Sequence, residues 1–331
     1  METTNSSEFP EMETPRTLID NIKLPPDVFA WLQEISAEQA VALSLSTLST
    51  LVVVLFGFMH LHYIRCYVRS GCVQSDLYYL ALLIPMISLC SMLGMYMPRS
   101  ARFMFTVCTT YLMVCLFIVV ALMRDLFGNR AALSEFLTNW EQNISLQSLP
   151  LCCCCSFLPN IESTEKNLRR VERLVLQSPV VRITLEILNI VLFLEQASYD
   201  TSKIMLEIIQ NISCLLALYG CFILMQLGKE KLRPYQFFPI FLFVSITQII
   251  LTLQREIFIL IGRYFIFAST EKPYTYSYFW NCFVTTFEML ILQCSVSFLL
   301  SPKRCALFDT LRQSVDDETL REALKSNNNR A

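Results

Sequence analysis

Seven apolar runs of about 20 residues, the length that ~30 Å of hydrocarbon requires, follow one another along this chain and leave little room for anything else. They lie near Gln39–Ile64, Leu77–Met97, Phe103–Met123, Pro179–Ser198, Ile204–Leu227, Phe237–Gly262 and Phe279–Leu300. A backbone that crosses a bilayer must satisfy its own polar groups, and runs of this length do so as helices. The expected fold is therefore all-α: a polytopic membrane protein of seven transmembrane helices. The composition agrees, with 54% hydrophobic and only 16% charged residues among 331. Two runs carry more than one charge: the fourth has Arg182, Glu186 and Glu195, and the sixth has Arg255 and Glu256.

Direction follows from the basic residues, which collect in cytoplasmic segments. With the amino terminus outside, seventeen of the 26 Lys and Arg fall on the cytoplasmic side and seven outside, with Arg182 and Arg255 within spans. This predicts an external segment 1–38, a membrane domain 39–300 with a cytoplasmic loop 124–178, and a cytoplasmic tail 301–331. The polar first forty residues carry Pro10, Pro15, Pro25 and Pro26, so no cleavable signal is expected and the first span starts insertion. Asn5-Ser6-Ser7 is then a glycan acceptor on the correct face. Asn143 and Asn211, in a cytoplasmic loop and a span, are expected to stay bare. None of the 14 cysteines falls in an external segment, so disulfides are not expected to hold the fold.

The long loop contains Cys152, Cys153, Cys154 and Cys155 in a row. Adjacent cysteines suit neither a tetrahedral metal nor an unstrained disulfide. Leu133, Phe136, Leu137 and Trp140 give Ala131–Trp140 the spacing of one helical face, which would lie along the membrane. Pro150 then delivers the cysteines, with Phe157 and Leu158, to the acyl–headgroup boundary, where S-acylation would add an anchor. Redox-sensitive thiols, soft-metal binding and no role are the alternatives. A basic helix, Lys166 to Arg173, follows and would meet anionic lipid or simply obey the positive-inside rule. In the tail, Ser314-Val-Asp-Asp317 has the start of a capped helix on an otherwise solvated segment.

Charges inside spans cost ~3 kcal/mol each on insertion scales, so they turn toward a bundle interior or a wet cavity. Here they form stripes. Arg182, Glu186, Asn189 and Gln196 share a face of the fourth span, with Arg182 and Glu186 placed to neutralise each other at i,i+4. Glu207, Gln210 and Asn211 mark the fifth. Ser245, Gln248, Thr252, Arg255 and Glu256 share a face of the sixth, and Asn281, Thr285, Glu288 and Ser295 a face of the seventh. Glu288 is expected about 14 Å deep, too far to reach water. Its options are a pairing with Arg255, a neutral hydrogen-bonded state, a role in a solute path, or an interhelical bond.

The net charge of −2 excludes an electrostatic pull toward nucleic acid and leaves membrane lipids and amphipathic solutes as partners. Only His60 and His62 are present, which makes a metal centre or histidine catalysis improbable. No H-E-x-x-H, G-x-S-x-G or P-loop occurs, and seven glycines give little material for a phosphate cradle. No catalytic residue, cofactor or metal is expected.

Five segments together resemble one family. They are Gly94-Met-Tyr-Met-Pro98-Arg99-Ser100, Phe127-Gly128, the cysteine run, Ile183-Thr184-Leu185, and Asn281-Cys282 with Glu288 downstream. This order is similar to the alpha subunit of the organic solute transporters and the related transmembrane 184 proteins, over about Gln39 to Leu300. The resemblance implies a seven-span, amino-terminus-out subunit of the plasma membrane, with endosomal membranes as a second location to consider. It would move steroid conjugates, bile-acid-like or sterol-like solutes by facilitated diffusion. It also implies acylation of the cysteines, and as partner a small single-span beta-type subunit, with a homo-oligomer as the other arrangement. External Arg99 and Arg102 are suited to an anionic head group, or to lipid phosphate.

Two rivals share the span count. A G-protein-coupled receptor is opposed by Met123-Arg124-Asp125 where Asp-Arg-Tyr would stand and by the lack of Asn-Pro-x-x-Tyr in the seventh span. A non-transporting trafficking or lipid-organising factor shares every feature. The acylation reading predicts a hydroxylamine-sensitive acyl label that disappears when Cys152 to Cys155 are all changed to Ser; a wild-type chain with no label would sink it.

Overall fold

The computed structural model describes residues 27–128, 131–133, 135, 161–162, 164–194, 199–226, 232–262, 273–300 and 305–308. These residues are helical, with no strand among them. A short α1 (Val28–Glu34) leads into α2 (Ala37–Tyr67), α3 (Gly71–Tyr96) and α4 (Ala101–Phe127). Then come α5 (Glu165–Leu194), α6 (Tyr199–Gln226), a 3₁₀ turn Arg233–Tyr235 and α7 (Phe237–Ile249). A π turn, Ile250–Gln254, joins α7 to α8 (Arg255–Ile261), and α9 (Pro273–Leu299) completes the bundle.

Among the described residues six segments are long and apolar enough to cross a membrane: Ala37–Tyr67, Gly71–Tyr96, Ala101–Phe127, Met205–Gln226, Phe237–Ile261 and Thr275–Leu299. The fourth expected span is the exception. It is a helix, but its charges keep it below the hydropathy of the others. It also begins at Glu165 rather than Pro179, because the expected basic helix and the expected span are one 30-residue helix with Pro179 inside it. Proline removes one backbone donor, and packing along α6 and α4 holds the helix through that point. Cys152 to Cys155, Asn5, Gln196 and most of the interfacial segment lie outside the described residues.

Ladders and caps explain the element ends. Ser36 and Gln39 form a reciprocal capping box that starts α2. Gly128 closes α4 at φ 96°, a conformation that side-chain-bearing residues rarely adopt.

Two neighbourhoods pack side by side. α3 lies between α2, α4 and α9, while α5 and α6 form an antiparallel pair that meets the rest mainly through α4, with α6 also touching α7. Hydrophobic burial alone does not hold helices together in lipid, so close approach and polar links matter. Ser46 Oγ meets Thr286 Oγ1 at 3.0 Å, and Ser49 Oγ donates to the Thr286 carbonyl at 3.1 Å, joining α2 to α9. Thr50 and Ser88 hydroxyls, 2.9 Å apart, join α2 to α3. Gly57 lets α2 run against Pro85 of α3, where a Cβ would sit 2.6 Å from the proline Cγ.

At the end of the bundle that carries α1, Trp31 is buried against Phe279 and Tyr276 and its Nε1 donates to the Met95 carbonyl at 3.1 Å. Edge-on contacts continue from Phe279 through Trp280 and Phe283 to Phe287.

Gly57→Val is expected to lower the melting temperature in detergent, in line with about 1–3 kcal/mol for overpacking. Gly71→Ala, where nothing lies within 4 Å of the added carbon, serves as the control. Equal shifts for the two would remove the Gly57–Pro85 contact from the account.

Candidate functional site: a polar network between α4, α5, α6, α8 and α9

The stripe on α5 finds its partner on α6. Arg182 and Glu186 form the expected i,i+4 ion pair at 2.9 Å, with side chains 14% and 16% exposed. Gln210 bridges both: its Oε1 accepts from Arg182 Nη1 at 2.8 Å, and its Nε2 donates to Glu186 Oε1 at 3.3 Å. One amide therefore reads both charges of the pair and ties the two helices together. Arg182 also lies over the Phe105 ring of α4, 5.9 Å from its centroid, and Arg255 of α8 lies over the same ring at 4.2 Å. Two guanidinium groups from helices distant in sequence thus converge on one aromatic ring.

Arg255 pairs with the adjacent Glu256, so the alternative in which it pairs with Glu288 is not the one adopted. Tyr278 of α9 and Glu207 of α6 lie within electrostatic range of Arg255, and Glu207 within range of Arg182. Arg182 also borders a crevice of about 10 Å³, lined by Thr109, Ser178, Gln210, Asn211, Cys214 and Thr252, among others. Gln248 approaches Cys214 Sγ at 2.6 Å, joining α7 to α6.

The π turn sets the second part of the site. One extra residue per turn advances the helix phase by about 100°, and π turns recur at functional sites. Here the turn brings Gln254 to face Glu288 of α9. A regular helical wheel misses Gln254, since it lies off the face that Ser245, Gln248, Thr252 and Arg255 share. Only the structural break itself, which has no sequence signature in Ile250–Gln254, turns it inward.

Of the other predicted residues, Asn189, Asn281 and Thr285 are buried, and Thr285 donates to the Asn281 carbonyl. Arg99 remains exposed in the turn between α3 and α4. Asn211 and Ser295 are turned outward or partly so, and Ser295 bonds back to Ile291.

Several buried polar atoms in this region have no protein partner: Arg182 Nε, Gln254 Nε2, Asn189 Oδ1, Gln248 Oε1, Asn281 Oδ1 and Glu288 Oε2. An unpaired buried donor or acceptor costs about 1–3 kcal/mol. Open hydrogen-bonding capacity inside the bundle is what a path for a polar group, or for water, requires. Among the described residues no group of His, Cys, Asp or Glu is arranged to hold a metal.

The fold and this interior define a polytopic helical membrane protein with a polar network inside its bundle. The chain belongs to the organic solute transporter Ostalpha family, whose sequence model matches residues 42–304. It is 32% identical to organic solute transporter alpha-like protein 1 of Caenorhabditis elegans over 90% of this chain and 80% of that one. It is 31% identical to alpha-like protein 3 of the same organism over 94% of each. The zebrafish (Danio rerio) organic solute transporter subunit alpha is 26% identical over 52% of this chain and 54% of its own. No solved structure matches the chain.

Arg182→Ala is expected to reduce stability by about 3–5 kcal/mol, because Glu186 is left in the bundle without its cation. Replacing both by Met should restore most of the loss. Surface abundance and melting in detergent report the effect, and single and double variants that behave alike would show that the pair is not the stabilising unit.

Proposed function

We propose that this chain carries amphipathic organic solutes across the membrane by facilitated diffusion, with seven spans, an external amino terminus and a cytoplasmic carboxyl terminus. The observation that supports this reading most directly is the convergence of Arg182 and Arg255 on Phe105 beside a set of buried, unpaired donors and acceptors. A solute with an anionic head and an apolar body needs cationic and hydrogen-bonding partners for the head while the body stays in an apolar setting. The outward face of α5, with Val180, Ile183, Ile187 and Val191 exposed, meets lipid, and the inward face offers the charges.

In this reading α5 is the fourth of the seven spans, made tolerable in lipid by pairing its charges with each other and with Gln210. Arg182, Arg255 and Gln254 act on the head group; Glu186 and Glu256 keep the site near neutral, so that an anion is attracted without being trapped. Glu288, Asn281, Thr285, Gln248 and Asn189 continue the path, and Arg99 meets solute or lipid phosphate at its mouth. Steroid conjugates and bile-acid-like molecules have this chemistry. The site is at the plasma membrane, the working unit includes a single-span beta-type subunit or a second copy, and the four cysteines and Asn5 serve delivery and anchoring.

Uptake of a radiolabelled steroid sulfate in transport-silent cells, with the chain alone and with single-span partners, tests this. Saturable, bidirectional, sodium-independent flux is expected. Glu288→Ala should leave surface abundance normal while flux falls to about a tenth, the loss of roughly 1.4 kcal/mol of interaction in the path. Absence of flux under every pairing, with the chain confirmed at the surface, would favour a trafficking role instead.

A further inference from the structure

A second cavity, of about 80 Å³, lies between α2, α3, α7 and α9, and its chemistry is unlike that of the charged network. Its walls are apolar: Leu80, Ala81 and Ile84 from α3, Phe243 and Val244 from α7, Val296 from α9. Among the described residues no Asp, Glu, Lys or Arg lines it. At the face that carries the α2–α3 turn it is closed by Leu307 and Phe308. Their short segment is pinned to the 3₁₀ turn by Ala306 N to the Pro234 carbonyl at 3.1 Å and Cys305 Sγ to the Tyr235 carbonyl at 3.2 Å.

Apart from Tyr63, Thr247 and Cys305, the polar side chains on the wall belong to one circuit. Gln293, 1% exposed, donates from Nε2 to His60 Nδ1 at 3.1 Å. His60 Nε2 meets Ser297 Oγ at 3.0 Å, and the Ser297 hydroxyl donates to the Gln293 carbonyl at 2.8 Å. These roles fix the imidazole as neutral, with its proton on Nε2 and donated to serine. Gln293 Oε1 takes no part in these bonds: the side chain engages His60 through Nε2, and Ser297 bonds the Gln293 backbone carbonyl. Thr247, also on the wall, spends its hydroxyl on the Phe243 carbonyl.

The polar end is also the deep end. Thr247 is ten residues into α7 and His60 seven residues before the end of α2, so the acceptor sits on the order of 10–15 Å from the helix ends that the tail segment covers. A phospholipid cannot reach this arrangement, since its charged head would be buried farthest from water without a counter-charge.

From this geometry we infer a second binding site, for a neutral single-hydroxyl amphiphile that enters hydroxyl first, donates to Gln293 Oε1 and packs its chain against α3, α7 and the tail segment. The site is separate from the charged path, although both share helices: Thr247 faces this cavity while neighbouring Gln248 faces Cys214, and Gln293 is five residues beyond Glu288. It does not depend on the transport reading.

The test is photolabelling of the purified full-length chain with a diazirine derivative of 1-octanol, followed by peptide mapping. Saturable labelling of Leu77–Ile84 and Gln293–Leu300 is expected, blocked by 1-octanol and at least about tenfold less well by octyl methyl ether, which has no proton to donate, a difference of roughly 1.4 kcal/mol. Octanoate should compete as poorly as the ether. Ala81→Trp, which fills the cavity and leaves the circuit intact, should abolish the label, and Gln293→Leu should reduce it about tenfold. The proposal fails if those peptides label without saturation, if ether and alcohol compete equally on the wild-type chain, or if Ala81→Trp, with an unchanged size-exclusion profile, labels like wild type.

Discussion

Arg182 is the residue that this bundle must accommodate. A guanidinium group stays charged at any accessible pH, so a chain that places one inside an apolar helical bundle must supply partners from its own interior. They come from three directions: Glu186 one turn along α5, Gln210 across on α6, and Phe105 on α4. The pairing of α5 with α6 and the seating of that pair on α4 both follow from this. Without Gln210, the ion pair would be satisfied within a single helix and could as well face lipid as protein. The amide that bonds both charges at once selects the inward orientation.

The other half of the bundle uses a different means. α2, α3 and α9 carry few charges, and hydroxyls take over: Ser46 and Ser49 on the Thr286 region, Thr50 on Ser88. Such bonds average well under 2 kcal/mol each in a membrane, so they need close backbone approach to accumulate, which the Gly57–Pro85 contact allows. Each half therefore links its helices by its own kind of polar contact, an ion pair with its bridging amide in one and hydroxyls in the other. That division leaves one cavity neutral and the other region charged within the same protein.

How much of this was legible in the sequence differed by type of signal. Hydropathy and length located the apolar helices, and a 3.6-residue wheel put Arg182, Glu186, Asn189, Asn281, Thr285 and Glu288 on inward faces. Both signals are local, and local periodicity survives folding. Pairings across helices were not legible: Gln210 as the bridge and Phe105 as the shared ring depend on which helices become neighbours. Gln254 was missed because the wheel assumes constant pitch, and the π turn breaks it. The continuity of α5 through Pro179 was missed because proline ordinarily ends a helix at that point, whereas here neighbouring helices hold it. His60 was set aside as one of only two histidines, which is sound reasoning about metals and catalysis but says nothing of a neutral imidazole in a hydrogen-bond circuit.

The π turn also explains how one transmembrane segment can serve two environments. Up to Ile249 the helix keeps a single phase, with Thr247 toward the neutral cavity and Gln248 toward Cys214 on α6. In a regular helix, residues 254 and 255 would point about 100° apart with only one of them directed at the interior. Rotation of the phase within Ile250–Gln254 instead directs Gln254 to α9 and Arg255 to the Phe105 ring of α4, so both polar side chains are taken inward where the helix emerges from its wide turn. A π turn leaves backbone carbonyls poorly matched and is retained where that mismatch is compensated. Two long polar side chains kept out of lipid are such a compensation, since each would otherwise cost more than a single weakened backbone bond.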